Sequence, residues 1–231
     1  MIRKDLNINK GEWLSDVIKE IPTNTILNKT MTGCGATTLE INAARHSIII
    51  EPNVPVIVGK KAQHSFLFVV YEGTSKEDVK AYLAGEHDGY RKIITTPEGF
   101  DKKVLPAMYE TNTPIFEDYF LLFDECEKAI QDVGYRGDIY LPVEDFFKFK
   151  NKAMVSATPI VPSDPRFAKQ SFEMLRIVPT YDYRQPLTVC ITNNTVRVLR
   201  ILLARFDKEN KKTCIFLNST DTTLSLIQTL K

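Results

Sequence analysis

Two short stretches, TMTGCGATT at 30–38 and DECE at 124–127, hold the residues best suited to chemistry on a phosphate chain. In the first, Gly33 and Gly35 let backbone N–H groups turn toward phosphate oxygens. The residues after them have helical periodicity, so the positive end of a helix would be aimed at the same point. Thr37 stands where a hydroxyl can coordinate Mg²⁺, and Thr32, Cys34, Ala36 and Thr38 complete a loop able to hold a nucleotide such as ATP. In the second, Asp124 and Glu125 end the apolar run FLLF, which presents acids at the carboxyl edge of a parallel sheet. Asp124 would hold Mg²⁺ through water, and Glu125 would orient or deprotonate an attacking water. Phosphoryl transfer to water needs both a charge-neutralising metal and a positioned nucleophile. Plainer readings exist for each: a glycine pair makes a strand-to-helix turn, and Asp-Glu after a strand caps a helix.

The loop departs from the usual phosphate-binding pattern in two places. Ala36 stands where its lysine is expected, and Thr30 where a glycine or alanine is expected. The missing ammonium is an electrostatic contribution of a few kcal/mol, on the order of that supplied by one preorganised donor in a transition state. Lys29, directly before the loop, is a candidate replacement that would reach the phosphates from the opposite side; the alternative is an ordinary surface lysine at a strand end.

Such residues need a scaffold that brings strand tips together. Apolar runs rich in Ile and Val alternate with helix-period segments, which predicts an α/β fold: a mainly parallel sheet with helices on both faces. Strands are expected at 25–28, 47–51, 65–70, 91–95, 119–123, 153–156, 187–192 and 213–217. Helices are expected at 10–20, 37–45, 76–84, 100–107, 195–208 and 220–230. Five prolines between 159 and 186 mark a linker at 161–186, dividing a lobe at 1–160 from a partial second lobe at 187–231.

Composition bounds the partners. Lys plus Arg number 30 against 29 for Asp plus Glu, which excludes a chain-wide positive field; any nucleic-acid contact must be local. Cys34, Cys126, Cys190 and Cys214 form no CxxC pair and the histidines are scattered, so neither a zinc site nor a disulfide framework is expected. No signal-like or membrane-spanning apolar run is present, which predicts a soluble, cytoplasmic protein without membrane contact.

A third signal, VSATP at 155–159, follows DECE by about thirty residues, as DECE follows the glycine loop by about ninety. In that order the three resemble a degenerate Walker A loop, a Walker B strand and motif III of the superfamily 2 DEAD/DEAH-like helicases. IIIEP at 48–52 and ITTPEGF at 94–100 resemble motifs Ia and Ib, and TCIFLNS at 213–219 resembles motif IV. The resemblance implies a RecA-like P-loop NTPase fold plus the start of a second RecA-like lobe, acting as an ATP- and Mg²⁺-dependent helicase or translocase. It implies nucleotide contact for residues 32–38, Mg²⁺ contact for Thr37 and Asp124, and catalysis at Asp124 and Glu125. Ser156 and Thr158 would couple nucleotide state to nucleic-acid grip, and Thr95, Thr96 and Gly99, with Lys60 and Lys61, would touch the phosphodiester backbone. DNA is placed ahead of RNA as the polymer, and other replication or mobile-element proteins are further partners, since GATT with DECE resembles helicase-like proteins of phages and mobile elements. The family's arginines from the second lobe would lie beyond Lys231, so a fragment of a longer motor is expected. Two other classes stay open: a weakened or inactive helicase-like binding module, which Ala36 favours, and another P-loop ATPase such as a DNA-packaging motor.

Overall fold

The computed structural model describes residues 1–127, 143–159, 162–184, 191, 193–210 and 228. The chain divides into two compact units, Met1–Tyr183 and Arg184–Lys231.

Eight strands of the first unit form one sheet: β1 (Arg3–Ile8), β2 (Thr25–Asn28), β3 (His46–Ile50), β4 (Phe68–Val70), β5 (Lys92–Thr95), β6 (Tyr119–Phe123), β7 (Asn151–Ser156) and β8 (Glu173–Pro179). Their order across the sheet is β1-β8-β2-β7-β6-β3-β5-β4, and every pairing is parallel. Parallel neighbours need crossover connections, which cover both faces, and the strands between them become continuously apolar. The pleat divides each run. Ile48, Ile50, Leu121 and Phe123 enter one core, while Ile49, Phe120 and Leu122 enter the other. The first core takes in helix 76–84 and the aromatic residues Phe146, Phe149, Phe167 and Phe172; the second takes in Leu14, Leu39, Ile41 and Ile57.

Three short helices of the second face matter for the site: α1 (Leu14–Val17), α2 (Ala36–Asn42) and α3 (Val54–Gln63). The helix expected at 10–20 shrinks to α1, because Gly11 turns the chain at φ +89° and Pro22 follows soon after. The helix expected at 100–107 instead starts at Pro97–Gly99, widens into a π-helical turn at Phe100–Val104 and continues as Leu105–Glu110.

Sequence patterning does not anticipate β1, α3 or β8. The pair β1 and β8 is half polar because it forms the sheet's outer edge, where Asp5 pairs with Arg176 and Lys4 with Glu173 across the strands. Consequently the segment 161–186 is not a plain linker. It contributes a helical turn, Pro165–Lys169, and then β8, which hydrogen-bonds to both β1 and β2. The helix expected at 195–208 is present with those bounds, capped by the Asn194 side chain, which accepts from Arg197 N at 3.0 Å. The strand expected at 213–217 and the motif IV likeness lie outside the described residues, as do the helix at 220–230 apart from residue 228 and 187–192 apart from residue 191.

Candidate active site

With every strand parallel, all carboxyl ends share one edge, and the sequence places its chemistry there. The tip of β2 carries Lys29 and the glycine loop; the tip of β6 carries Asp124 and Glu125; β7, ending at Ser156, lies between them. The ladders extend slightly past the strands: Lys29 N donates to Ser156 O at 2.8 Å and Asp124 N to Ile50 O at 2.9 Å. These bonds fix where both side chains start.

The loop and the acid meet. Lys29 Nζ lies 3.1 Å from Asp124 Oδ1, and the Thr37 hydroxyl donates to Asp124 Oδ2. Asp124 and Lys29 are both buried. Burial disfavours the Lys29 ammonium, but the charge of Asp124 opposite it prevails and holds the pKa above the ordinary lysine value.

Backbone conformation shapes the cradle. Thr30 is left-handed at φ +58° and is held there by its N–H donating to Asn28 Oδ1 at 2.9 Å and its hydroxyl donating to Ile177 O at 2.6 Å. Gly33 and Gly35 take φ +76° and +89°, which side chains resist. At Gly35 a Cβ would also come 3.3 Å from Trp13 Cε3, so the turn admits the indole closely. Leu14 N donates to Cys34 O at 2.9 Å, tying α1 to the loop. A cavity of about 300 Å³ opens over residues 33–38, with Lys29, Lys60 and Trp13 on its walls. A neighbouring cavity of about 510 Å³ shares Trp13, Gly35 and Thr38 with it. Ala36 is buried within the second core, and burial raises the Cys34 thiol pKa. Thr32 is exposed.

A third carboxylate joins Asp124 and Glu125. Glu51, just past β3, is 2% exposed; burial and then the Asp124 charge push its carboxyl up to about 7. Asn53 holds the group together: its Nδ2 donates to Glu51 Oε1 at 2.9 Å and to Glu125 Oε2 at 3.1 Å. Glu125 sits at φ +47°, a conformation rare for a residue with a side chain and frequent at functional turns.

The remaining candidates distribute differently. Ser156 is buried and its hydroxyl accepts from Thr158 N at 2.9 Å, shaping its own turn, while Thr158 is exposed. Thr95, Thr96 and Gly99 lie at the tip of β5, beyond β3, and all three are buried. Thr95 donates its hydroxyl to Val70 O at 2.9 Å, and Thr96 accepts from Gly99 N at 3.0 Å. Those hydroxyls serve the turn rather than facing outward. Lys60 and Lys61, candidates for contact with the phosphodiester backbone, diverge: Lys60 Nζ donates to Thr38 Oγ1 at 2.8 Å, while Lys61 Nζ donates to Ser65 O and Leu67 O at 2.7 Å each, closing the turn after α3. Sequence reading gave no role to Trp13, Glu51 or Asn53. Trp13 is the chain's one tryptophan and Glu51 ends an otherwise apolar run, so both left a trace; Asn53 left none.

Among the described residues no group of three or more His, Cys, Asp or Glu is arranged to hold a metal. The hydroxyl and carboxylate oxygens of Thr37 and Asp124 nevertheless fit Mg²⁺, which takes few protein ligands and fills its shell with water and phosphate oxygens. No helix among the described residues is long and apolar enough to cross a membrane.

No protein-family model matches the sequence. No curated protein matches it either. By structure, 33 solved chains match. One is the DUF1998 helicase MrfA, with a TM-score of 0.59 and 14% identity over 96% of this chain and 36% of that one. This chain thus spans about a third of that protein's length. At such identity the likeness is one of fold: an α/β, RecA-like parallel sheet of the kind found in a helicase.

Proposed function

We propose that the chain carries the ATP-binding lobe of a nucleic-acid-dependent, helicase-like NTPase of superfamily 2. The observation that carries this reading is the convergence of Thr37 and Lys29 on Asp124 beneath the cavity over the glycine loop. In it, the backbone of residues 32–38 cradles the phosphates and the Trp13 indole stacks on the base. Thr37 and Asp124 would hold Mg²⁺, which when bound neutralises charge on the phosphate oxygens. Glu125, held by Asn53, accepts a proton from the water that attacks the γ-phosphorus as the bond to the ADP oxygen breaks. Lys29 supplies, from the end of β2, part of the positive charge that Ala36 cannot.

Ser156 and Thr158 sit between the two tips, a position that suits coupling of nucleotide state to polymer grip. The polymer, DNA ahead of RNA, contacts the β5 turn through its backbone at 95–99, since the threonine side chains are engaged internally. The second unit begins a second RecA-like lobe, and the chain works as part of a longer cytoplasmic motor alongside replication or mobile-element proteins.

Equilibrium binding of a fluorescent ATP analogue with Mg²⁺, followed by phosphate release with and without single-stranded DNA, tests this. Binding that is lost in Gly35→Pro, with DNA-stimulated release, is expected. Absence of binding by the parent chain defeats the reading. Tight binding without release supports the second reading, a helicase-like binding module, which the methyl of Ala36 in the lysine position favours.

A further inference from the structure

Lys60 was grouped by sequence with Lys61, yet the fold sends the two ammonium groups in different directions. Helix α3 lies on the sheet by Ile57, which is fully buried, and Lys60 is the residue one turn later on the adjoining side. Its Nζ therefore reaches α2 and donates to Thr38 Oγ1 at 2.8 Å, on the wall of the cavity that opens over the glycine loop. Lys61 turns away and saturates the Ser65 and Leu67 carbonyls. The start of α3 is fixed as well, because Asn53, the residue preceding it, is bonded to Glu51 and Glu125.

We propose that Lys60 is a phosphate-binding residue: delivered by α3 rather than by the loop, its ammonium grips the triphosphate in place of the lysine that Ala36 replaces. This rests on the nucleotide-site reading above and adds to it which side chain binds the anion. The two lysines of the cavity divide the work. Lys29 is buried and ion-paired with Asp124, so moving its ammonium leaves a buried carboxylate uncompensated. Lys60 is only half-buried, and among the described residues its ammonium bonds to a neutral hydroxyl, which a phosphate oxygen replaces with a stronger, charge-assisted acceptor. Thr38 is thus the resting acceptor of an ammonium poised beside the site.

The test is competition of ATP and AMP against a fluorescent ATP analogue in Mg²⁺, with Lys60→Ala, Lys60→Gln and Lys60→Arg. Lys60→Gln keeps a donor for Thr38 without the charge, so it guards against a folding failure of the alanine variant. Both neutral variants are expected to weaken ATP by about tenfold or more, to weaken AMP far less, and to reduce the salt dependence of binding; Lys60→Arg restores most of the affinity. Affinity for ATP within about twofold of the parent in the neutral variants overturns the role of Lys60 while leaving the nucleotide site intact. Equal losses for ATP and AMP overturn it too, since they indicate a misshapen loop. A parent chain that binds neither nucleotide defeats the site itself, and the Lys60 role with it.

Discussion

At the amino ends of the strands Glu40 is fully buried, and its carboxylate accepts from Arg45 Nε at 3.0 Å, from an Arg45 terminal nitrogen at 2.6 Å and from Ser47 Oγ at 2.6 Å. Lys92 closes the cluster with bonds to Glu40 O and Ser47 Oγ, and the Arg45 guanidinium covers the Phe120 ring at 3.4 Å. At the carboxyl ends, Glu51, Asp124 and Glu125 crowd together, Lys29 pairs with Asp124, and Lys29 lines a cavity. Both ends bury charge, which is costly unless paired. The first is closed and saturated, so its role is to hold the fold. The second borders a cavity through Lys29, and its buried Glu51 carboxyl is pushed up to about 7 by burial and by the Asp124 charge.

Substitutions at the two ends put this contrast to the test. Arg45→Ala strikes the closed end and is expected to cost about 3 kcal/mol or more, since it strips the cation from a buried carboxylate; urea unfolding measures it, and a loss under about 1 kcal/mol would contradict the closed-network reading. Glu125→Gln strikes the open end, where the expected loss is in turnover, about a hundredfold or more, with no fall in melting temperature. A large destabilisation there would erase the contrast.

The pH dependence of stability separates the ends again. The folded Glu51 carboxyl titrates near 7 against an ordinary 4.5, so the unfolded chain loses this proton first as pH rises. Stability therefore falls between about 4.5 and 7, by about 3 kcal/mol in total, and the penalty is complete above that window. Glu51→Gln should remove this slope in metal-free thermal melts. An unchanged slope would place the titration elsewhere. Smallest of all, Gly99→Ala is expected to cost about 1–3 kcal/mol, because a Cβ there would sit 2.8 Å from Val70 O and 2.5 Å from Thr95 Oγ1. If it instead leaves urea stability alone and abolishes stimulation by DNA, the functional edge extends to β5.

Much of the scaffold was legible because it rests on local pattern. The strands at 25–28 and 119–123 and the helix at 76–84 fall on the residues expected, since unbroken apolar runs and a Ser75–Asp78 capping box are written in neighbouring residues. The edge strand β1 and its neighbour β8 were hidden because their polar residues pair with each other across about 170 residues of chain, which no local window contains. The site divides along the same line. Its glycine loop and acidic pair were recognisable by type and order, whereas Trp13, Glu51 and Asn53 act through neighbours distant in sequence.

From residue types alone came the parallel α/β class, the glycine loop at 30–38, the acids at 124 and 125, and the absence of the loop lysine. Which lysines stand in the resulting gap was decided by the tertiary structure. The direction of Lys29 depends on β7 lying between β2 and β6, and the direction of Lys60 on how Ile57 seats α3. An ammonium on a four-carbon stem can reach many places, and only the packing of the element that bears it selects one.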